Sequence, residues 1–387
     1  MSGTPEPKVY GWCPGALRPM MSGDGLVVRV RAPLGKLSVT QARGVARLSQ
    51  DFGNGLLDIS ARANLQMRGI REEAHGELIE ALRDLGLIDK DASAEARRNV
   101  LLAPFWAEGD DTHAIAMDLS AALTAATDLP LPGKFGFAVD CGAEPVLQDI
   151  AADIRVERTN DGLILRADGA ETGLPVTRES AVPEALALAR WFLDQGGAPE
   201  GRGRMHRLIA RRGPPPANTA PMAKAGFTAK PGTVPAGTLA ALEFGQMPAA
   251  TLAKLADHGP IRLTPWRMLL VEGAAALPPL PGLILDATDP RLQVVACTGA
   301  PGCLQALSST RDLARDLAAH VPAGTKLHVS GCAKGCACPG PAPLTLTATG
   351  NDEFSLIRNG TAADQPLKTH LSGGALRAAP ELLTEGS

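Results

Sequence analysis

The sequence predicts an α+β protein whose plan is written twice, and three observations carry that expectation. GLVVRVRAPLGKLSVTQARGVARLSQDFGNGLLDISARANLQMRGI (residues 25–70) and TLAALEFGQMPAATLAKLADHGPIRLTPWRMLLVEG (238–273) run through the same order of strand, glycine, helix, glycine and strand. A longer segment of mixed strand and helix pattern follows each copy. Between the two lies GPPPANTAPMAKAGFTAKPGTVPAG (213–237), dense in Pro, Gly and small residues, which is the composition of a linker.

In the first copy, alternation over Leu26–Arg31 reads as a strand, and the apolar spacing from Thr40 to Phe52 reads as a helix. Thr40 is the expected N-cap and Gly53 the expected stop, with a second strand over Leu56–Arg68. In the second copy Gly245 stands where Gly35 stands, and Leu263 falls near the place of Ile59. The two halves are expected to close on each other as one pseudo-symmetric unit. RRNVLLAPF (97–105), LPGKFGFAVD (131–140) and a helical ALALARWFLDQG (185–196) make up the first longer segment. The second holds most of the cysteines, and its tail after Ala362 is expected to be partly irregular. The expected units are residues 1–90, 91–212, 213–289 and 290–387.

Composition narrows the function. Hydrophobic residues make up 45% of the 387 and aromatics only 3%, so the cores must rest on Leu, Val, Ile and Ala. A net charge of −3 argues against a nucleic acid or membrane surface recognised by bulk charge, and neither is expected as a partner. No signal-peptide pattern or apolar run of membrane-spanning length is present, so a cytoplasmic location is expected. Five of the seven cysteines fall between Cys297 and Cys338, a clustering that points to metal rather than to a disulfide framework.

RLQVVAC (291–297) and KLHVSGC (326–332) read as strands that each end in a cysteine. The intervening GCLQALSSTRDLARDLAAHV (302–321) reads as a helix with Cys303 near its start, where amides and the helix dipole favour a thiolate. A right-handed crossover sets the two strand ends side by side, so Cys297, Cys303, Cys332 and Cys336 can surround one 4Fe–4S cluster. Glycines 299, 302, 331 and 335 let the backbone bend around it and offer amide donors. Zinc is the competing metal, although its knuckles usually space cysteines two to four residues apart, and five residues separate the first pair here. Cys338 is left over, Cys13 reads as a surface turn residue, and Cys141 reads as a small buried hydrophobe.

The pattern Cys297-x5-Cys303 … Cys332-x3-Cys336 resembles the cluster motif of the sulfite and nitrite reductase superfamily. That resemblance implies two ferredoxin-like half-domains forming the pseudo-symmetric unit, plus two α/β nitrite/sulfite-reductase-like domains. SARANLQMRGI (60–70) is similar to the family's arginine-bearing strand, with Arg62 toward the ring and Gln66 on the same face. RNV (98–100) is similar to its second arginine site, Arg98, and Lys134 in PGKFGF matches the first residue of its lysine pair. Gly136 stands where a reductase carries the second lysine.

The forms GWCPGALRPMMSGDG (11–25), LPGKFGFAVD and HVSGCAKGCACP (328–339) are similar to the precorrin-3B synthase branch, for which the tetrapyrrole is substrate rather than cofactor. This resemblance implies an iron–sulfur monooxygenase of aerobic cobalamin biosynthesis. It would use O₂ and an external reductant to hydroxylate precorrin-3A at C20 and close a γ-lactone. Arg62, Arg98 and Lys134 would then be catalytic, and Arg18, Arg29, Arg31 and Gln66 would bind a ring edged with carboxylates. A non-haem iron beside the 4Fe–4S cluster is part of the same expectation. Cys338 stands where members of the branch carry a histidine, whereas Cys336 keeps the family spacing. No glycine motif for a nucleotide follows a strand, so the electron donor is not indicated. The alternative is a sirohaem-dependent sulfite or nitrite reductase.

Overall fold

The computed structural model describes residues 14–215, 217–223 and 226–384; Cys13 and the start of its glycine-rich turn lie outside them. The first copy builds β1 (Met20–Ser22), β2 (Gly25–Val30), β3 (Lys36–Leu37), α1 (Val39–Phe52), β4 (Leu56–Ile59), β5 (Leu65–Ile70) and α2 (His75–Asp84). Two of its boundaries differ from the sequence reading. Ser38, not Thr40, caps α1: its hydroxyl accepts from the Gln41 amide while Gln41 Oε1 accepts from the Ser38 amide, a reciprocal capping box. The single strand expected over Leu56–Arg68 is a hairpin. Ser60 Oγ makes its turn by accepting from the amides of Arg62 and Asn64, so Arg62 lies in the turn and not on the strand that carries Gln66.

The chain continues through α3 (Ala92–Arg97), β6 (Val100–Leu102), α4 (Asp111–Ala125), β7 (Phe137–Asp140), β8 (Ile154–Thr159), β9 (Gly162–Ala167), β10 (Thr172–Val176), α5 (Arg178–Asp194), α6 (Met205–Arg212) and β11 (Ala220–Pro221). These strands form one sheet in the order β11-β10-β9-β8-β7-β6, parallel from β6 to β8 and antiparallel beyond. Its core joins Leu119 of α4 and Phe192 of α5 to Phe137, Val156 and Leu165 of the sheet.

The second copy follows as β12 (Gly232–Val234), β13 (Gly237–Leu242), β14 (Gln246–Pro248), α7 (Ala249–Leu255), β15 (Ile261–Leu263), β16 (Met268–Glu272) and β17 (Leu283–Ile284). It repeats the first down to backbone angles: Leu34 and Gly35 have φ of 52° and 66°, and Phe244 and Gly245 have 53° and 78°. The hairpins close on equivalent pairs, Ile59 with Leu65 and Leu263 with Leu269. The halves also trade strands. β14 completes the sheet β1-β2-β5-β4-β14 of the first half, and β3 completes β12-β13-β16-β15-β3 of the second. One apolar core therefore spans both, from Val28, Leu57 and Met67 to Met247 and Leu269, with α1 packed on α7.

The last segment holds β18 (Val294–Ala296), α8 (Arg311–Leu317), β19 (Leu327–Ser330), β20 (Ala342–Gly350), β21 (Glu353–Gly360), β22 (Lys368–Ser372) and α9 (Gly373–Ala378). Its sheet, β18-β19-β20-β21-β22, is parallel for three strands and antiparallel for two, the plan already seen from β6 to β10. The tail is more regular than its composition suggested, because Leu376 and Leu383 are fully buried and anchor it to this sheet's core. Among the described residues no helix is long and apolar enough to cross a membrane.

Candidate active site

Parallel pairing of Ala296 with Val329 brings the carboxyl ends of β18 and β19 side by side, as the crossover required. Cys297 follows one strand, and Gly331 and Cys332 follow the other. The loops touch: the Gly331 amide donates to Cys297 Sγ at 3.1 Å, and a Cβ at 331 would come within 2.7 Å of Ala306 Cβ. Only glycine allows that approach. The helix between the strands is shorter than its sequence suggested, beginning at Arg311. Residues 302–310 are turns, because the Leu307 amide crosses to Gly331 O instead of bonding to Cys303 O. Cys303 therefore does not sit at a helix N-terminus, and the dipole argument for its thiolate does not hold.

The four thiols act on one another. Burial is the first cause that pushes the Cys332 thiol above its ordinary range, and the charges of Cys297 and Cys303 add to it. Burial likewise raises Cys336; Lys334 opposes the shift, while Cys332, Cys297 and Cys303 reinforce it. Such crowding suits thiolates only when a positive centre takes up their charge. Among the described residues no group of three or more His, Cys, Asp or Glu side chains is arranged for a single metal ion. Thiolates on one zinc lie about 4 Å apart, each about 2.3 Å from the metal. A cluster carries each thiolate on its own iron and asks for a wider spread. The donor set, sulfur only and drawn from two loops, is one that an iron–sulfur cluster or a four-cysteine zinc site uses.

Cys297 and Cys336 open into a cavity of about 300 Å³ that is also lined by Arg29, Asp58, Gln66, Arg267 and Arg311. Arg29 and Gln66 are cross-strand neighbours on β2 and β5, which is how two of the residues expected to bind substrate come together. Arg267 and Arg311 were not singled out from sequence. Arg267 has φ of 59°, a left-handed conformation rare for a side chain of its size, and donates to Ala337 O at 2.7 Å. Burial, then Arg311, lowers its pKa from the usual guanidinium range. Asp58 is the one carboxylate among the described lining residues; it accepts from Gln246 at 2.8 Å and lies 3.4 Å from Arg311 and 3.6 Å from Arg68. The Nε atoms of Arg29 and Arg311 are buried with no hydrogen-bond partner. Three guanidinium groups against one carboxylate leave the cavity cationic, with donors still unmatched.

The other expected residues lie elsewhere. Arg31, Arg62 and Arg98 line a separate space of about 20 Å³. Arg31 is buried and donates to Glu95 O, and burial lowers its pKa to about 10. Arg98 is gripped bidentately by Asp89 at 2.7 and 2.8 Å and also donates to Arg31 O. Arg62 donates to the carbonyl of Lys134 at 2.8 Å, so those two do meet, with the Lys134 side chain exposed. Arg18 is exposed. Gly136 is enclosed: its amide donates to Asp153, and a Cβ there would lie 2.5 Å from Asn99 Nδ2, so a larger residue would have to displace the Asn99 side chain. Behind the cysteine loop, His328 is fully buried with neither ring nitrogen partnered, and burial followed by Arg267 lowers its pKa to about 4.

Known proteins resemble this chain along most of its length. Residues 18–85 match the family described as the nitrite/sulfite reductase ferredoxin-like half domain. A precorrin-3B synthase of Sinorhizobium sp. is 28% identical over 94% of this chain and 86% of its own. The likeness to the nitrite/sulfite reductase superfamily thus extends from that half domain to nearly the whole chain. Within it, a ferredoxin–nitrite reductase of Synechococcus elongatus is 25% identical over 85% of this chain and 77% of its own. The structure of the NirA protein of Mycobacterium tuberculosis superposes with a TM-score of 0.64 at 20% identity, covering 92% of this chain and 79% of that one, and so shares its fold.

Proposed function

We propose that the chain is a precorrin-3B synthase, hydroxylating precorrin-3A at C20 with O₂ and closing a γ-lactone from the ring A acetate. One observation carries this reading: two cysteines of the paired loops open into a cavity beside Arg29, Arg267 and Arg311. A macrocycle edged with carboxylates needs several fixed cations, and guanidinium groups grip carboxylates in a planar, bidentate way. Support also comes from the synthase relative, matched along nearly the whole of both chains.

Cys297, Cys303, Cys332 and Cys336 would hold a 4Fe–4S cluster, which when bound supplies the one-electron chemistry that side chains lack. Arg29, Arg267 and Arg311 bind and orient the ring's carboxylates. Gln66 offers an amide from the same wall, and Asp58 repels carboxylates from its own part of the cavity. Arg62, bonded to the Lys134 carbonyl, lines the separate space and not this cavity, so it and Lys134 are not assigned to the ring's carboxylates. The proposed units keep the boundaries 1–90, 91–212, 213–289 and 290–387, and electrons come from an external donor.

A sirohaem-dependent reductase is the second reading, favoured by the nitrite reductase relative. Against it stands Gly136, which takes the place of the second lysine of that chemistry and has the Asn99 side chain packed against it. Anaerobic incubation with precorrin-3A followed by O₂ tests the proposal: the product should be heavier by one oxygen. Purified protein with a permanently bound sirohaem, seen as an intense Soret band, and no oxygenated product would overturn it in favour of the reductase.

A further inference from the structure

The turn that carries Cys303 is held from outside its own sheet. The carbonyl of Gly302, the residue before Cys303, accepts three donors from the first half: Ser22 Oγ at 2.7 Å, the Gly23 amide at 3.3 Å and the Arg68 guanidinium at 2.7 Å. The fit is tight, since a Cβ on Gly23 would fall 1.9 Å from Pro301 O. Arg68 is 5% exposed, and both Asp24 oxygens fix it, through Nε at 3.1 Å and Nη2 at 2.8 Å. The same Nε also lies 3.6 Å from Asp58, a wall of the cavity. A buried arginine is costly to keep unless its charge and its fixed geometry are both used. Simple adhesion between the first half and the last segment would need neither.

We propose that Arg68 is a positioning residue for the iron–sulfur centre. With Ser22 it latches the Cys303 turn, and its charge favours the reduced, more negative state of the centre. This rests on the cluster assignment above. A unit charge about 10 Å away shifts an equilibrium roughly tenfold at the effective dielectric of a protein interior. Arg68→Gln is therefore expected to lower the ratio of reduced to oxidised cluster at a fixed applied potential about tenfold, or about 59 mV for a one-electron couple. Arg68→Lys keeps the charge and should stay within about twofold of the unaltered protein on the same scale. Ser22→Ala removes one latch and no charge; it should leave the potential unchanged while a chelator strips iron about fivefold faster, the size of one ordinary hydrogen bond.

The measurement is an anaerobic redox titration of the full chain followed by electron paramagnetic resonance, with iron and sulfide counted in each preparation. The proposal is overturned if Arg68→Gln keeps the original potential, or if Arg68→Lys moves as far as Arg68→Gln, since packing alone would then explain both. Should Arg68→Gln fail to fold, an unchanged chelation rate in Ser22→Ala overturns the latch. Unaltered protein without iron and sulfide would instead remove the cluster assignment, and this inference with it.

Discussion

Arg311 breaks a local rule, and that makes it the sharpest test of the cavity. It is the first residue of α8, where the helix dipole disfavours a cation by about 0.3–1 kcal/mol. Arg311→Ala should therefore cost the fold little. Its guanidinium lines the cavity 3.4 Å from Asp58, with a buried Nε that has no partner. A charge-assisted bond to a ring carboxylate contributes about 2 kcal/mol, so the variant should bind an octacarboxylate porphyrin roughly 30-fold more weakly. Asp58→Asn is the control of sign. Removing a like charge about 8 Å from a ring carboxylate relieves about 2 kcal/mol at an effective dielectric near 20, so binding should tighten roughly 30-fold. Gln246 can still donate to an asparagine oxygen, so the wall is kept. The assay is anaerobic absorbance titration with uroporphyrin at two salt concentrations, with iron content checked in parallel. If the two substitutions move affinity in the same direction, electrostatic complementarity is not what the cavity uses, and the reasoning fails.

Cys336→Ser should abolish cluster assembly and Cys338→Ser should spare it, read as iron and sulfide per chain; the Cys336 thiol feels the other three, whereas the charge of Cys338 falls on Arg267. Asp140 is buried, and desolvation raises its pKa from 3.8 to about 6. The folded chain thus holds that proton to higher pH than the unfolded chain, so stability falls by about 3 kcal/mol as pH rises from about 4 to about 6. Asp140→Asn should remove that slope in urea unfolding measured across the window, and an unchanged slope would refute the assignment. At the start of α1, Ser38→Ala should cost about 1 kcal/mol and lower the melting temperature, while Thr40→Ala should stay within about 0.5 kcal/mol.

The doubling was legible because glycines and helix stops are local signals. Gly35 and Gly245 mark the same left-handed turn in both halves, and their neighbours fix the phase of each helix. The convergence of Cys297 with Cys332 was legible for a related reason: two apolar runs ending in cysteine and joined by a crossover leave few other arrangements. What stayed hidden depends on contacts distant in sequence. β3 and β14 are two and three residues long, too short for any periodicity, yet they tie the halves together. The turn at 60–64 carries no Gly or Pro, and a serine hydroxyl makes it, so its strand read as continuous. Arg267 and Arg311 belong to the second copy and the last segment, and only folding brings them to a cavity walled by the first copy. The α8 boundary differs because the loop-to-loop bond from the Leu307 amide to Gly331 O outweighs a helical pattern that the side chains permit.

The doubled frame also shows how one half came to hold a binding cavity. Counting from the equivalent closing pairs, Asp58 corresponds to Arg262 and Arg68 to Glu272, so the ion pair is reversed in sign between the copies. The exchanged strands keep the correspondence, with Gln246 opposite Asp58 and Lys36 opposite Arg262. In the second copy, however, Arg262 donates to Pro104 O and Trp106 O, pairs with Glu272 at 3.1 Å, and lies 4.0 Å over the Trp106 ring. Lys36 closes on Glu272 at 2.7 Å. Those cations are matched by the protein itself. In the first copy the carboxylate sits on the cavity wall, and the arginines around it come from three different segments, two of them with Nε unmatched. A symmetric frame needs only one such imbalance to create a site for a polyanion, and the imbalance lies on the side where the cysteine loops open.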